Sequence, residues 1–245
     1  MTPFDPAQGA PSDSRGERRL GVLGGTFDPV HVGHLDAAEA ARSALSLDTV
    51  LFVPASDPPH RPVDPHATAF HRFALVALAL DGRAGCRVSD LELCRTGSSY
   101  TSDTLRALHA RGWTPSQLFF ILGADAFAEI ATWHEFPAVL DAAQFVVIAR
   151  PGTSIEQALS RTPDLQRRAR SAAGYAERSG PTAILLVEAH TRDVSSTMIR
   201  GRLAARQPID DLVPAAVARH IAAHTLYGTG PMEDDLHGDD ESTRA

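Results

Sequence analysis

The chain has 245 residues, 43% of them hydrophobic and 22% charged, with two cysteines and a formal net charge of −7. That length suits one large domain or two small ones, and the composition excludes a largely disordered or fibrous chain. No apolar run approaches the roughly 18 residues of a membrane span, residues 1–19 hold no apolar leader core, and Cys86 and Cys94 lack the spacing of a zinc site or disulfide framework. A cytoplasmic protein that neither enters a membrane nor relies on disulfides is expected.

In chain order, residues 1–19 are rich in Pro, Gly, Ser and charge and read as a disordered tail. Six short apolar runs follow, each read as a strand: Leu20 to Leu23, Val50 to Val53, Cys86 to Val88, Leu118 to Leu122, Phe145 to Ala149 and Ala183 to Val187. Several are apolar throughout, as strands covered on both faces of a parallel sheet are. Between them, 35–46, 67–80, 102–111 and 125–142 have helical composition and period, and 196–206 and 213–224 read as two final helices, with Pro214 near the start of the second. The polar, Arg-rich stretch 153–180 reads as a variable helix and loop insertion. The alternation predicts an α/β fold, a doubly wound parallel sheet spanning 20–227, with an acidic disordered tail over 228–245.

That last tail carries most of the negative charge, so the body is near neutral and has no basic stripe; no nucleic-acid partner is expected. Every basic residue is an arginine and lysine is absent, which excludes a Walker-type lysine. Any phosphate here must be held by guanidinium groups, imidazoles or main-chain N–H groups.

The segment Gly24-Gly25-Thr26-Phe27-Asp28-Pro29-Val30-His31-Val32-Gly33-His34 directly follows the first strand, where an open α/β sheet binds ligands. Gly24 and Gly25 allow main-chain N–H groups to approach an anion, and a helix beginning near Gly33 points its positive end there. His31 and His34, three apart, can face one phosphate and donate to it as charge develops. Two glycines alone mark only a tight turn, and a His-x-x-His pair can bind metal, but no further ligands accompany it and no metal site is expected. Near the other end, Val194-Ser195-Ser196-Thr197-Met198-Ile199-Arg200 offers a serine that can cap a helix whose N–H groups face phosphate, with Arg200 about one turn on.

The first segment resembles the GGTFDPxHxGH signature of the nucleotidyltransferase superfamily, and the second resembles its ISSTxIR motif. Pro58-Pro59-His60-Arg61, Ser99-Tyr100-Thr101-Ser102-Asp103-Thr104-Leu105, Ile121-Leu122-Gly123-Ala124-Asp125 and Thr132-Trp133-His134 are similar to segments of bacterial nicotinate-nucleotide adenylyltransferases. The resemblance spans about 20–226 and implies a Rossmann-like nucleotidyltransferase fold. It also implies a reaction of ATP with nicotinate mononucleotide in NAD biosynthesis, with Mg²⁺ delivered by ATP. It assigns catalysis to His31, His34 and Arg200. ATP would be bound by those residues with Gly24, Gly25, Thr26, Phe27, Gly123, Asp125, Ser195 and Ser196. The acceptor would be bound by Asp28, Arg61, Tyr100, Thr101, Trp133 and Arg150, with Thr101 at the pyridine carboxylate and Trp133 stacked on the ring.

One departure stands out: relatives of this kind often carry Asn shortly after the second strand, where this chain has Pro54-Ala55-Ser56-Asp57, so Ser56 or Asp57 is the expected replacement. The alternatives left open are a different acceptor (nicotinamide mononucleotide or phosphopantetheine), a cytidylyltransferase, and a nucleotide-binding module without turnover. The sequence is compatible with a homo-oligomer and does not decide it.

Overall fold

The computed structural model describes residues 18–58, 65–149, 159, 163–173, 175 and 182–228. The expected tails fall outside the described residues, apart from residues 18, 19 and 228.

Seven strands form one sheet: β1 (Leu20–Gly25), β2 (Thr49–Pro54), β3 (Cys86–Val88), β4 (Leu118–Gly123), β5 (Gln144–Ala149), β6 (Ala169–Ser171) and β7 (Ile184–Glu188). Their order is β3-β2-β1-β4-β5-β7-β6 and every pairing is parallel. The expected doubly wound α/β sheet is therefore present. β6 was not expected; it lies in the Arg-rich insertion, at the sheet edge, where a short polar strand suffices because only one side pairs.

The described helices are α1 (Val32–Leu45), α2 (Ala69–Leu80), α3 (Thr101–His109), α4 (Ala124–Ala128), α5 (Pro163–Arg168), α6 (Ser196–Ala204) and α7 (Ala215–Ala223). None among the described residues is long and apolar enough to cross a membrane. The helix expected over 125–142 breaks into α4 and two 3₁₀ turns, Ile130–Thr132 and Ala138–Asp141. Trp133 turns extended at φ −71°, ψ 147°, Glu135 sits at φ 62°, and the residue before Pro137 is disfavoured in the helical region. The break leaves Trp133 and His134 on a loop between β4 and β5.

Strand alternation divides the interior into two cores. Val50 and Phe52 of β2, Phe119 and Ile121 of β4, and Val146 of β5 face α1, α2, α6 and α7. Leu51, Val53, Leu118, Phe120, Leu122 and Val147 face α3, α4 and the following turns. Both faces are covered, which is why these strands read as apolar runs. A Cβ added to Gly21 would lie 2.9 Å from Leu47 Cδ1 and 3.1 Å from Ile121 Cδ1, so a glycine in β1 makes room for Leu47, in the turn between α1 and β2, on the sheet.

From β1 the chain winds one way to β2 and β3, then crosses back to β4 and β5 on the other side. The direction reverses between β1 and β4, and the carboxyl ends of these neighbours diverge into a crevice.

Candidate active site

The crevice is a cleft of about 540 Å³. Its walls come from the end of β1 (Gly24, Gly25, Thr26), the start of α1 (His31, Gly33, His34), the start of α4 (Gly123, Asp125) and the start of α6 (Ser195, Ser196, Thr197). Ala55, Pro58, Glu92, Ser99, Thr101 and Trp133 also line it.

β1 runs through both glycines, which are strand residues rather than a loop, and the chain then turns at Phe27 with φ 51°. Phe27 is buried, edge-on to the His34 ring at 5.0 Å and tilted against Phe52 at 5.7 Å. It supports His34 from behind and is not on the cleft wall. His31 is the N-cap of α1, and its main-chain N–H donates to Nδ1 of His34 at 3.2 Å. The two imidazoles stack with centroids 3.7 Å apart and planes 29° apart. Because His34 Nδ1 accepts, the neutral ring carries its proton on Nε2. A Cβ on Gly33 would press on His31 Nδ1 at 3.1 Å and the Arg192 carbonyl at 3.2 Å, so glycine is what admits the ring pair and the neighbouring chain together.

Ser195 caps α6, its Oγ accepting from the Met198 N–H at 3.1 Å, while Ser196 Oγ donates to the Pro29 carbonyl at 2.9 Å. Arg200 Nη1 donates to the Asp28 carbonyl at 2.7 Å and Nη2 to Thr197 Oγ1 at 3.2 Å. The two motifs, far apart in sequence, are thus joined, and the N-termini of α1 and α6 open into one cleft. The helix dipole makes each such end favourable to an anion, and two together suit a polyphosphate, although at α1 the first N–H, of Val32, is taken by the Leu212 carbonyl at 3.0 Å. The Arg200 side chain is only 16% exposed and lies behind the wall.

Asp28, expected on the acceptor side, is wholly buried behind the site. Its carboxylate accepts from the main-chain N–H groups of His66 at 2.8 Å and Ala67 at 3.1 Å and from the Tyr227 hydroxyl at 3.0 Å, with Arg200 Nη1 at 3.9 Å. Burial, then the charge of Asp28, pushes the Tyr227 phenol far up from its ordinary value. Sequence reasoning missed Tyr227; a lone tyrosine ahead of an acidic tail carries no signal.

On the opposite side Thr101 opens α3 and lines the cleft. Trp133 lines it too, standing edge-to-face on Phe120 at 5.9 Å and 89°, so it is both part of the core and a free ring face. Tyr100 is off the wall, stacked on His134 at 4.3 Å; Ser102 Oγ meets His134 Nδ1 at 3.2 Å and Arg106 pairs with Glu135 at 2.8 Å. These contacts hold the Trp133 loop to the start of α3. Neither Ser56 nor Asp57 lines the cleft; their main-chain N–H groups donate to Ser99 Oγ at 2.9 and 3.3 Å. Arg61 and Arg150 lie outside the described residues. Glu92, also missed, is a buried acid on the wall; burial raises its carboxyl above the usual range, while the Thr104 and Ser99 hydroxyls bonded to it pull it back down. Among the described residues no group of three or more His, Cys, Asp or Glu side chains could hold a metal ion.

The cytidylyltransferase-like family model matches residues 22–202. A Trichlorobacter lovleyi protein named probable nicotinate-nucleotide adenylyltransferase is 39% identical over 211 residues, 85% of this chain and 99% of its own length. A Roseiflexus protein of the same name is 41% identical over 208 residues, 85% of this chain and 97% of its own. The chain belongs to the nicotinate-nucleotide adenylyltransferase family, within the cytidylyltransferase-like group. Among solved structures, the Plasmodium falciparum nicotinic acid mononucleotide adenylyltransferase complexed with NaAD has a TM-score of 0.66, covers 87% of this chain and 99% of its own, and is 17% identical. At that identity the likeness concerns the fold alone.

Proposed function

We propose that this chain transfers the adenylyl group of ATP to nicotinate mononucleotide, giving nicotinate adenine dinucleotide and pyrophosphate for NAD biosynthesis in the cytoplasm. The observation that carries the reading is the convergence of two helix N-termini and a stacked histidine pair on one cleft whose other side presents Thr101 and Trp133.

The acceptor phosphate attacks the α-phosphorus of ATP in line. An oxygen–phosphorus bond forms there as the bond to the bridging oxygen breaks, and pyrophosphate leaves with the electron pair. The acceptor phosphate is already ionised near neutral pH, so no general base is needed and no covalent intermediate on the protein arises. Catalysis is then positioning and charge stabilisation. His34 donates Nε2–H to the α-phosphate as charge grows, with its tautomer set by the His31 amide. His31 supports the same charge from the stacked position. The N–H groups opening α6 receive the outer phosphates, and Arg200, bonded to the Asp28 carbonyl and Thr197 behind the wall, braces the start of α6 and places its positive charge at the pyrophosphate end of the cleft. Gly123 and Asp125, at the start of α4, face the adenosine ribose. Mg²⁺ comes bound to the ATP phosphates, consistent with a cleft whose donors are N–H groups and imidazoles rather than clustered carboxylates. Thr101 donates to the pyridine carboxylate and Trp133 covers the ring.

Pyrophosphate release from Mg²⁺ and ATP is measured with nicotinate mononucleotide, nicotinamide mononucleotide and phosphopantetheine offered separately. Release with the acid alone is expected. Equal rates with acid and amide would remove the role given to Thr101, and silence with the acid would overturn the reading.

A further inference from the structure

Arg72 of α2 is 1% exposed and belongs to neither motif. Its guanidinium donates to four main-chain oxygens: Nε to Ala67 at 3.1 Å, Nη1 to Thr26 at 2.8 Å and to Ala55 at 2.6 Å, and Nη2 to Ser56 at 3.2 Å. Thr26 belongs to the glycine segment that the functional reading gives to ATP, and Ala55 and Ser56 begin the segment after β2 that leads on to Arg61, which the resemblance gives to the acceptor. Thr26 and Ala55 both line the cleft, and one nitrogen of Arg72 holds both of their carbonyls. The far side of the second segment is held as well, by Ser99 Oγ accepting from the Ser56 and Asp57 amides.

A cation placed in a core solely for stability would be costly, since its desolvation must be offset by well-aligned partners. The partners here are the two stretches of chain that leave β1 and β2 at the cleft, just beyond the last ladder bond between them, the Ala55 N–H on the Gly25 carbonyl at 2.9 Å. A misplacement of about 1 Å in such an arrangement lowers rate by about a hundredfold. We propose that Arg72 is a positioning residue for the transfer, its planar fork setting the separation between the ATP segment at Thr26 and the acceptor segment at Ala55–Ser56. A planar fork with several fixed donors spans these carbonyls, whereas the compact ammonium of lysine reaches only some of them.

The proposal rests on the functional reading, so the parent chain is assayed first; a parent silent with nicotinate mononucleotide refutes both. With an active parent, Arg72→Lys and Arg72→Met are compared for melting temperature, for equilibrium binding of a non-hydrolysable ATP analogue, and for kcat and acceptor KM. The lysine variant is expected to melt below the parent but to remain folded at the assay temperature and to bind the analogue within threefold, yet to show an acceptor KM raised and a kcat lowered by tenfold or more each. Parent-like kcat and acceptor KM in Arg72→Lys would overturn the proposal and leave the functional reading intact. So would a loss of analogue and acceptor binding in equal proportion that tracks the melting temperature, which is the mark of a merely structural role. If neither variant folds, Ser99→Ala decides, because it loosens the same segment from its other side: a tenfold rise in acceptor KM is expected, and an unchanged value overturns the proposal.

Discussion

The usefulness of an imidazole to a phosphate depends on which of its nitrogens carries the proton, and at His34 a main-chain amide makes that choice. His34→Ala is expected to lower kcat by about 10²–10³, the range for loss of one transition-state donor, while binding of a non-hydrolysable ATP analogue changes only a few-fold. Steady-state kinetics beside equilibrium binding would check this. Residues of this kind were legible because histidines and glycines at short spacing announce themselves. Asp28, Tyr227 and Arg72 were not understood from sequence because most of their partners are main-chain groups or residues far along the chain, and neither leaves a pattern. Tyr100 and Phe27 fell in recognisable segments, yet act one layer behind the wall, supporting His134 and His34.

Elements carry effects that single residues do not. α1 and α6 aim their N-termini into the cleft because each begins with an extended cap residue, His31 and Ser195, directly after a segment leaving the sheet. On the other side of the first core, α2 and α7 meet through His71, His220 and His224: His71 Nδ1 lies 3.2 Å from His220 Nε2, and the His220 and His224 rings are 4.3 Å apart. Burial, with the neighbouring histidines, holds His220 below its ordinary value of 6.5. A histidine depressed in the fold is preferentially neutral there, so the unfolded chain binds more protons as pH falls through about 6.5. The contribution of this contact is therefore complete above that pH and declines as pH drops toward the folded value. Melting temperature measured from pH 8 to pH 5 is expected to fall less steeply in His220→Gln than in the parent. Helices with regular apolar spacing were predicted well. The break after α4 was not, since the composition of 125–142 favours a helix and only Pro137 hinted otherwise.

For the molecule as a whole, the parallel sheet was predictable because strands covered on both faces must be apolar throughout, and the five inner strands announced themselves that way, while the edge strand β3 was still marked by Cys86 and Val88 flanking an exposed Arg87. The seventh, β6, sits at the edge and pairs on one side only, so its polar sequence gave no sign of it. The most far-reaching hydrogen bond among the described residues is equally silent in sequence. Tyr227, after the last helix, closes onto Asp28, which holds the start of α2 and stands beside Arg200. Tyr227→Phe removes one bond to a buried carboxylate and is expected to cost about 1–3 kcal/mol of stability. A larger proportional fall in kcat than in ATP-analogue binding is expected beside it, read by denaturant titration and steady-state kinetics. This closure also bears on when the protein becomes active during its own synthesis. A ribosome that has released every strand and both motifs has still produced a chain whose Asp28 awaits its last hydrogen-bond donor. Adenylyl transfer at the mature rate is therefore expected only once the turn after α7 has closed onto Asp28, since a shorter chain can form the sheet but leaves that carboxylate one donor short.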